Sequence, residues 1–286
     1  MLLTNFDGRL ANQTIQLLGY SILAEKLDLK ISGTSEYKII ERFNLKIFDK
    51  GRIIKPNEHS ILTYGDKDLK LLMDENFNTK NPINFVGNFQ VGWFLYNNRE
   101  KIINMFDLKK VEKFSESSIY MMIRLGDVSF YAPPFTFYEK AIKEVNSKYK
   151  KIEKQKLFIS TDSPYHPLVL YFVFRYKFKV IKEDSYNKIL FARKFNNLIL
   201  TSGSFNFLSA IISEAKNIIY PEVVNNWHPN YYEDFEWKKI KLSRPSSIFI
   251  RSNVLIFKFL KKYFNKYRIL LKRIIENLFA NLKSIF

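Results

Sequence analysis

Ser118-Ile119-Tyr120-Met121-Met122-Ile123-Arg124-Leu125-Gly126-Asp127 is the stretch on which the fold turns. Unbroken apolar and β-forming residues closed by a turn read as a strand covered on both faces, the condition of parallel sheets. The charged residues that follow then stand at the C-terminal mouth of that strand. Open α/β sheets bind their ligands there, so Arg124 and Asp127 are the first candidate functional pair.

Downstream the same unit recurs. Residues 137–149 read as a helix and 156–160 as a strand, which ends in the polar turn Thr161-Asp162-Ser163-Pro164. Leu198-Ile199-Leu200 is another strand, Thr201-Ser202-Gly203-Ser204 another turn, and residues 205–215 the next helix, before Ile218-Ile219-Tyr220-Pro221. Three strand ends thus present Arg124 with Asp127, then Asp162, then Ser204 towards one crevice. Upstream, residues 7–13 read as a turn into a helix with Ile15, Leu18, Ile22 and Leu23 on its apolar face, followed by a strand at 29–33. A further strand at 83–87 runs through Asn88-Phe89-Gln90 into a helix expected over 93–106. The reading is α/β with two lobes, 1–115 and 116–243. Arg244-Pro245-Ser246-Ser247 links them to a tail, 244–286, patterned as a basic amphipathic helix.

Composition narrows the classes. With 286 residues, 47% of them hydrophobic, the chain can bury a full core, and without cysteine it has no disulfide, thiolate nucleophile or Cys-based zinc site. The opening residues show no basic segment leading into an apolar one, so a cytosolic protein is expected. The formal charge is +18, but residues 244–286 hold 10 basic residues and one acid, Glu276, a net of +9 and half the excess. A charge so distributed does not call for specific nucleic-acid binding. The tail either packs its apolar stripe on the lobes or lies in the plane of an anionic membrane.

Chemistry suggests a phosphate site. An Arg fork bonds two phosphate oxygens and does not deprotonate, and the exposed N–H groups at the helix start beside Ser204 form a complementary anion site. The order of motifs resembles the α-1,2-fucosyltransferases of glycosyltransferase family 11 over most of residues 5–230. Gly8-Arg9-Leu10-Ala11-Asn12-Gln13 matches the family's GGLGNQ-like turn, and Gly87-Asn88-Phe89-Gln90 with Phe94 its Gly-x-x-Gln segment. Met122-Ile123-Arg124-Leu125-Gly126-Asp127 matches HxRxGD, and Tyr138-Glu139-Lys140-Ala141-Ile142 the helix after it. Ser160-Thr161-Asp162 resembles the SDD-like strand end, and residues 201–208 the SNSTFSWW-like turn. Met122 stands in place of the family's His, Phe207-Leu208 in place of its Trp pair and Ala11 in place of a Gly, while Lys188 falls near a position that is usually acidic.

The resemblance implies a GT-B-like fold of two Rossmann-like lobes, with GDP-fucose as donor and no required metal. Under it, the second lobe binds the nucleotide-sugar and the first is the acceptor side: Arg124 contacts the diphosphate, Ser204 and Phe205 form the phosphate turn, Asp162 lies near the guanosine, and Gly8, Asn12 and Gln13 face the cleft from the first lobe. The partners implied are a nucleotide-sugar donor and a glycan acceptor, lipid-linked if the tail meets a membrane. Asp127 is either the general base for the acceptor hydroxyl or the carboxylate that orients Arg124. Two other readings remain. Asp66-Lys67-Asp68 matches the DxD pattern of metal-dependent GT-A transferases, although acids there also suit a helix start. A non-enzymatic membrane- or nucleic-acid-binding protein would account for the basic tail. His59, His166 and His228 show no zinc-ligand spacing.

Overall fold

The structure, a computed structural model, describes residues 1–4, 6–32, 37–48, 50–53, 61–126, 132–149, 156–201, 203–222 and 234–241. Asp127, His59, Trp227, His228 and the whole tail 244–286 lie outside the described residues.

The first lobe runs β1 (Leu2–Leu3), α1 (Leu10–Leu27), β2 (Ile31–Ser32), α2 (Tyr37–Phe43), β3 (Leu62–Gly65), a 3-10 turn (Asp66–Asp68), α3 (Leu69–Leu72), β4 (Ile83–Val86), α4 (Gly92–Asn97) and α5 (Arg99–Met105). Its sheet has the order β2-β1-β4-β3, and every pairing is parallel. The second lobe runs β5 (Ile119–Ile123), α6 (Phe135–Lys148), β6 (Leu157–Thr161), α7 (Pro167–Tyr176), β7 (Lys179–Val180), α8 (Ser185–Phe191), β8 (Asn197–Ile199), α9 (Ser204–Ile211), β9 (Asn217–Pro221) and β10 (Lys238–Ile240). Its order is β10-β9-β8-β5-β6-β7, again all parallel. The architecture is therefore α/β and GT-B-like, two Rossmann-like sheets in one chain.

β5 is buried along its whole length, as its sequence requires. Its side chains alternate between two cores. Tyr120 and Met122 join the apolar cluster that runs through β1, α1, β4 and α9, whereas Ile119, Met121 and Ile123 join the one built on α6 and α7. The first cluster is continuous across both lobes, with α1 packed against α9. This corrects the amphipathic reading of α1. Its residues from Thr14 to Ala24 are buried without a polar face, because the second lobe covers the side that a single-lobe helix would leave to water.

The helix expected over 93–106 is broken in two at Asn98, whose side chain donates to the Phe94 carbonyl and competes with the helical ladder. The segment joining the lobes is pinned along its length. Arg193 donates to the Lys109 carbonyl, Lys113 to those of Ser213 and Glu214, and buried Asn197 to those of Glu116 and Ser118. At the far side, Arg42 pairs with Asp184 at 2.8 Å and the rings of Phe43 and Tyr186 meet edge to face. Among the described residues no helix is long and apolar enough to cross a membrane.

Candidate functional site

The sheet of the second lobe reverses its direction of growth once. In the second lobe the chain builds from β5 outward through β6 to β7, then returns to β8 on the other side of β5. The crevice between the mouths of β5 and β8 is the topological switch point, where peptide ends leave room for a ligand. Arg124 follows β5 directly, and Gly203 precedes α9 at φ 115°, a backbone conformation that glycine adopts at no steric cost. A Cβ on Gly203 would lie 3.3 Å from the Arg124 Nη1, so the guanidinium rests against this turn. Arg124, Gly203, Ser204, Phe205 and Asn206 all line one cleft, which places a half-buried guanidinium beside the opening turn of a helix.

Asp162, which follows β6, holds the turn after Arg124 in place. Its Oδ1 accepts from the Leu125 N–H at 2.9 Å and its Oδ2 from the Gly126 N–H at 3.1 Å. A Cβ at Gly126 would lie 2.9 Å from that Oδ2, so glycine is what allows the close approach. Beyond Asp162 the wall continues with Ser185 and Lys188 of α8. The Lys188 ammonium donates to the Thr161 carbonyl at 3.2 Å. Partial burial lowers its pKa, and the carboxylates of Asp162 and Asp184 oppose that shift.

The first lobe supplies the opposite wall with Gly8, Arg9, Leu10, Ala11, Asn12, Asp66, Asn88, Gln90 and Val91, so the cleft of about 990 Å³ is lined from both lobes. Its polar side chains are joined to one another. Gln90 Nε2 donates to Asn12 Oδ1 at 3.1 Å, and Gln16 Nε2 donates to Asn88 Oδ1 at 2.7 Å while its Oε1 accepts from the Asp7 N–H. The loop 88–90 is anchored by Phe89, whose ring is fully buried against Phe85 and Tyr20 with φ at 53°. Gly19 of α1 makes room for that ring, since a Cβ there would stand 2.2 Å from Phe89 Cγ.

No protein-family model and no curated relative matches the chain. Among solved structures it is similar to a glycosyl transferase family 9 protein from Veillonella parvula DSM 2008. That likeness is at 11% identity and a TM-score of 0.43, with 91% of this chain and 89% of that one covered.

The structure brings Gly8, Asn12, Arg124, Asp162, Ser204 and Phe205 to one cleft. Gln13 is not among the lining residues; about 100° of helical rotation per residue separates it from Asn12. Gln16, one turn later and 1% exposed, is the glutamine that ties the loops of this lobe together. Asp162 reaches the cleft, but both its oxygens are engaged by the turn that follows β5. Met122, which stands where the HxRxGD pattern has its His, is buried in the core shared by the lobes and does not line the cleft.

Asp66 and Asp68 have their own backbone partners. Asp66 accepts from the Asn88 and Phe89 N–H groups at 3.0 and 2.9 Å, and Asp68 from the Gly65 N–H at 2.9 Å. Among the described residues no group of three or more His, Asp or Glu is arranged to hold a metal ion. Sequence reading missed the part played by Asp66, Gln16 and Lys188. The first could have been found from its place just after a strand. The other two are visible only once the helices are packed.

Proposed function

We propose that the chain is an inverting glycosyltransferase that moves L-fucose from GDP-β-L-fucose to a hydroxyl of a glycan, forming an α-1,2 linkage without a required metal. One observation carries the reading: the Arg124 guanidinium lies against the glycine turn that opens α9, at a switch point within a two-lobed cleft. The acceptor oxygen attacks the anomeric carbon as the bond to the β-phosphate oxygen breaks. GDP leaves with the electron pair, and the acceptor proton passes to a base. Arg124 and the N–H groups of the α9 turn stabilise the charge that grows on the leaving diphosphate. Asp127 is the sequence candidate for the base. Fucose, guanosine and the linkage rest on the family 11 resemblance; the cleft supports a phosphorylated donor.

The protein is proposed to act in the cytoplasm on surface polysaccharide or glycoconjugate, with residues 244–286 holding it against an anionic membrane beside a lipid-linked acceptor. Titration calorimetry with GDP and GDP-fucose tests the donor site. Binding is expected to persist in EDTA and to vanish in Arg124→Ala; tight binding by that variant overturns the assignment. Truncation after Ser243 is expected to abolish binding to anionic vesicles and to preserve turnover on soluble acceptors. Vesicle binding by the truncated chain would remove the membrane role from the tail.

A further inference from the structure

The second-lobe wall does not stop at the phosphate crevice. Among the described residues none of β9 or β10 lines the cleft, so the polar wall extends from Arg124 only towards β6 and α8, through Ser160, Thr161, Asp162, Ser185 and Lys188. One parallel strand spacing is about 4.8 Å, so a nucleoside running from a diphosphate between β8 and β5 towards β6 would lie over this region. What the region offers a base is decided by which groups are already engaged. Both oxygens of Asp162 receive backbone N–H groups, and those of Asp184 receive Arg42 and the Asn187 N–H. The Lys188 ammonium makes a single hydrogen bond among the described residues, to the Thr161 carbonyl, and an ammonium carries three donors. The ammonium therefore keeps two donors to offer, whereas the carboxylates beside it already accept from other groups.

We propose that Lys188 reads the nucleobase of the donor, selecting bases that present a carbonyl oxygen at its ammonium over bases that present an amino group. Guanine offers O6 and N7 on one edge and uracil offers O4, whereas adenine and cytosine place an NH₂ at the corresponding positions, where it meets a second donor. The inference rests on the nucleotide-binding reading above and adds to it the edge by which the base is recognised. That edge is the O6/N7 side of guanine, whose two acceptors match the donors of an ammonium.

The test is titration calorimetry of the full chain with GDP, IDP, UDP, ADP, CDP and pyrophosphate, on the wild type and on Lys188→Met and Lys188→Arg. The wild type is expected to bind GDP and IDP equally, because inosine keeps O6 and N7 and lacks only the 2-amino group. It should favour both over ADP, and UDP over CDP, by about tenfold or more. Lys188→Met should bring these ratios close to one while leaving pyrophosphate affinity within about twofold, and Lys188→Arg should retain them. A uniform loss across all ligands, pyrophosphate included, would make Lys188 a phosphate ligand and overturn the proposal. So would a strong preference for GDP over IDP, or ratios that the Met variant leaves unchanged. If the wild type binds no nucleoside diphosphate at all, it is the transferase reading that fails; the pyrophosphate titration then shows whether the anion site itself exists.

Discussion

The two lobes carry the same device at their strand mouths and use it for different ends. In the first lobe Gly65, the last residue of β3, pairs with Val86, the last of β4; in the second, Thr161 of β6 pairs with Ile123 of β5 in the same way. The residue just past the outer strand is an aspartate in both cases, Asp66 or Asp162. Its two oxygens take the N–H groups two and three residues past the inner strand, Asn88 and Phe89 or Leu125 and Gly126. Each carboxylate thereby fixes a turn that would otherwise leave unpaired backbone donors at the mouth of its strands. The difference lies in what the turn presents. Past β5 the first residue is Arg124. Past β4 it is Gly87, where a Cβ would come within 2.6 Å of Asp66 Oδ1, and the turn offers the carboxamides of Asn88 and Gln90 instead. One scaffold thus makes a cationic wall in the second lobe and a mostly neutral, amide-lined wall in the first.

The sharpest way to break this comparison is to remove each aspartate in turn. Asp162→Ala frees the turn behind Arg124, and a loss of positioning of about 1 Å can cost on the order of 100-fold. Donor affinity by calorimetry is therefore expected to fall by about 10- to 100-fold, with Asp162→Asn, which retains one acceptor oxygen, in between. Asp66→Ala is expected to act more weakly and elsewhere, raising the acceptor KM by about tenfold while donor affinity moves by less than about threefold. Equal damage to donor binding by the two variants would dissolve the division of labour between the lobes.

How far this was readable from sequence follows from where each signal resides. The run from Ile119 to Ile123 is so apolar that only a fully covered strand fits it, and it placed Arg124 at a mouth before any coordinates. The alternation at 29–33 announced β2, whereas the very short strands β1 and β7 carry too few residues for periodicity to register. The pattern of α1 predicted its existence but not its burial, since the covering surface belongs to α9 nearly two hundred positions later. The Asp66-Lys67-Asp68 tripeptide looked like a metal motif because sequence shows carboxylates and hides the backbone N–H groups that engage them. Arg124 and Ser204 were legible from their own strands and turns; Lys188 was not, since its place in the cleft depends on how α8 docks over β6.

The smallest expected effect is one of pH and belongs to the second lobe alone, where a histidine caps the helix that follows Asp162. Asp162 has His166 in its neighbourhood, at the N-cap of α7, where the imidazole Nδ1 accepts from the Leu168 N–H at 3.2 Å. Partial burial lowers the His166 pKa from its ordinary 6.5, and the charge of Asp162 opposes the shift. A neutral imidazole can accept that bond and a protonated one cannot. The unfolded chain therefore binds a proton more readily than the folded one, so the cap's contribution is complete above pH 6.5 and declines as pH falls through the lower folded value. An N-cap is worth roughly 1 kcal/mol, a shift of about 2 °C in Tm for a chain of this size. Asparagine caps a helix without titrating, so His166→Asn should match the wild type near neutral pH and exceed its Tm by about that margin near pH 5. Thermal melts of the two proteins across this range check it. Parallel curves would mean that the cap contributes nothing that depends on its proton.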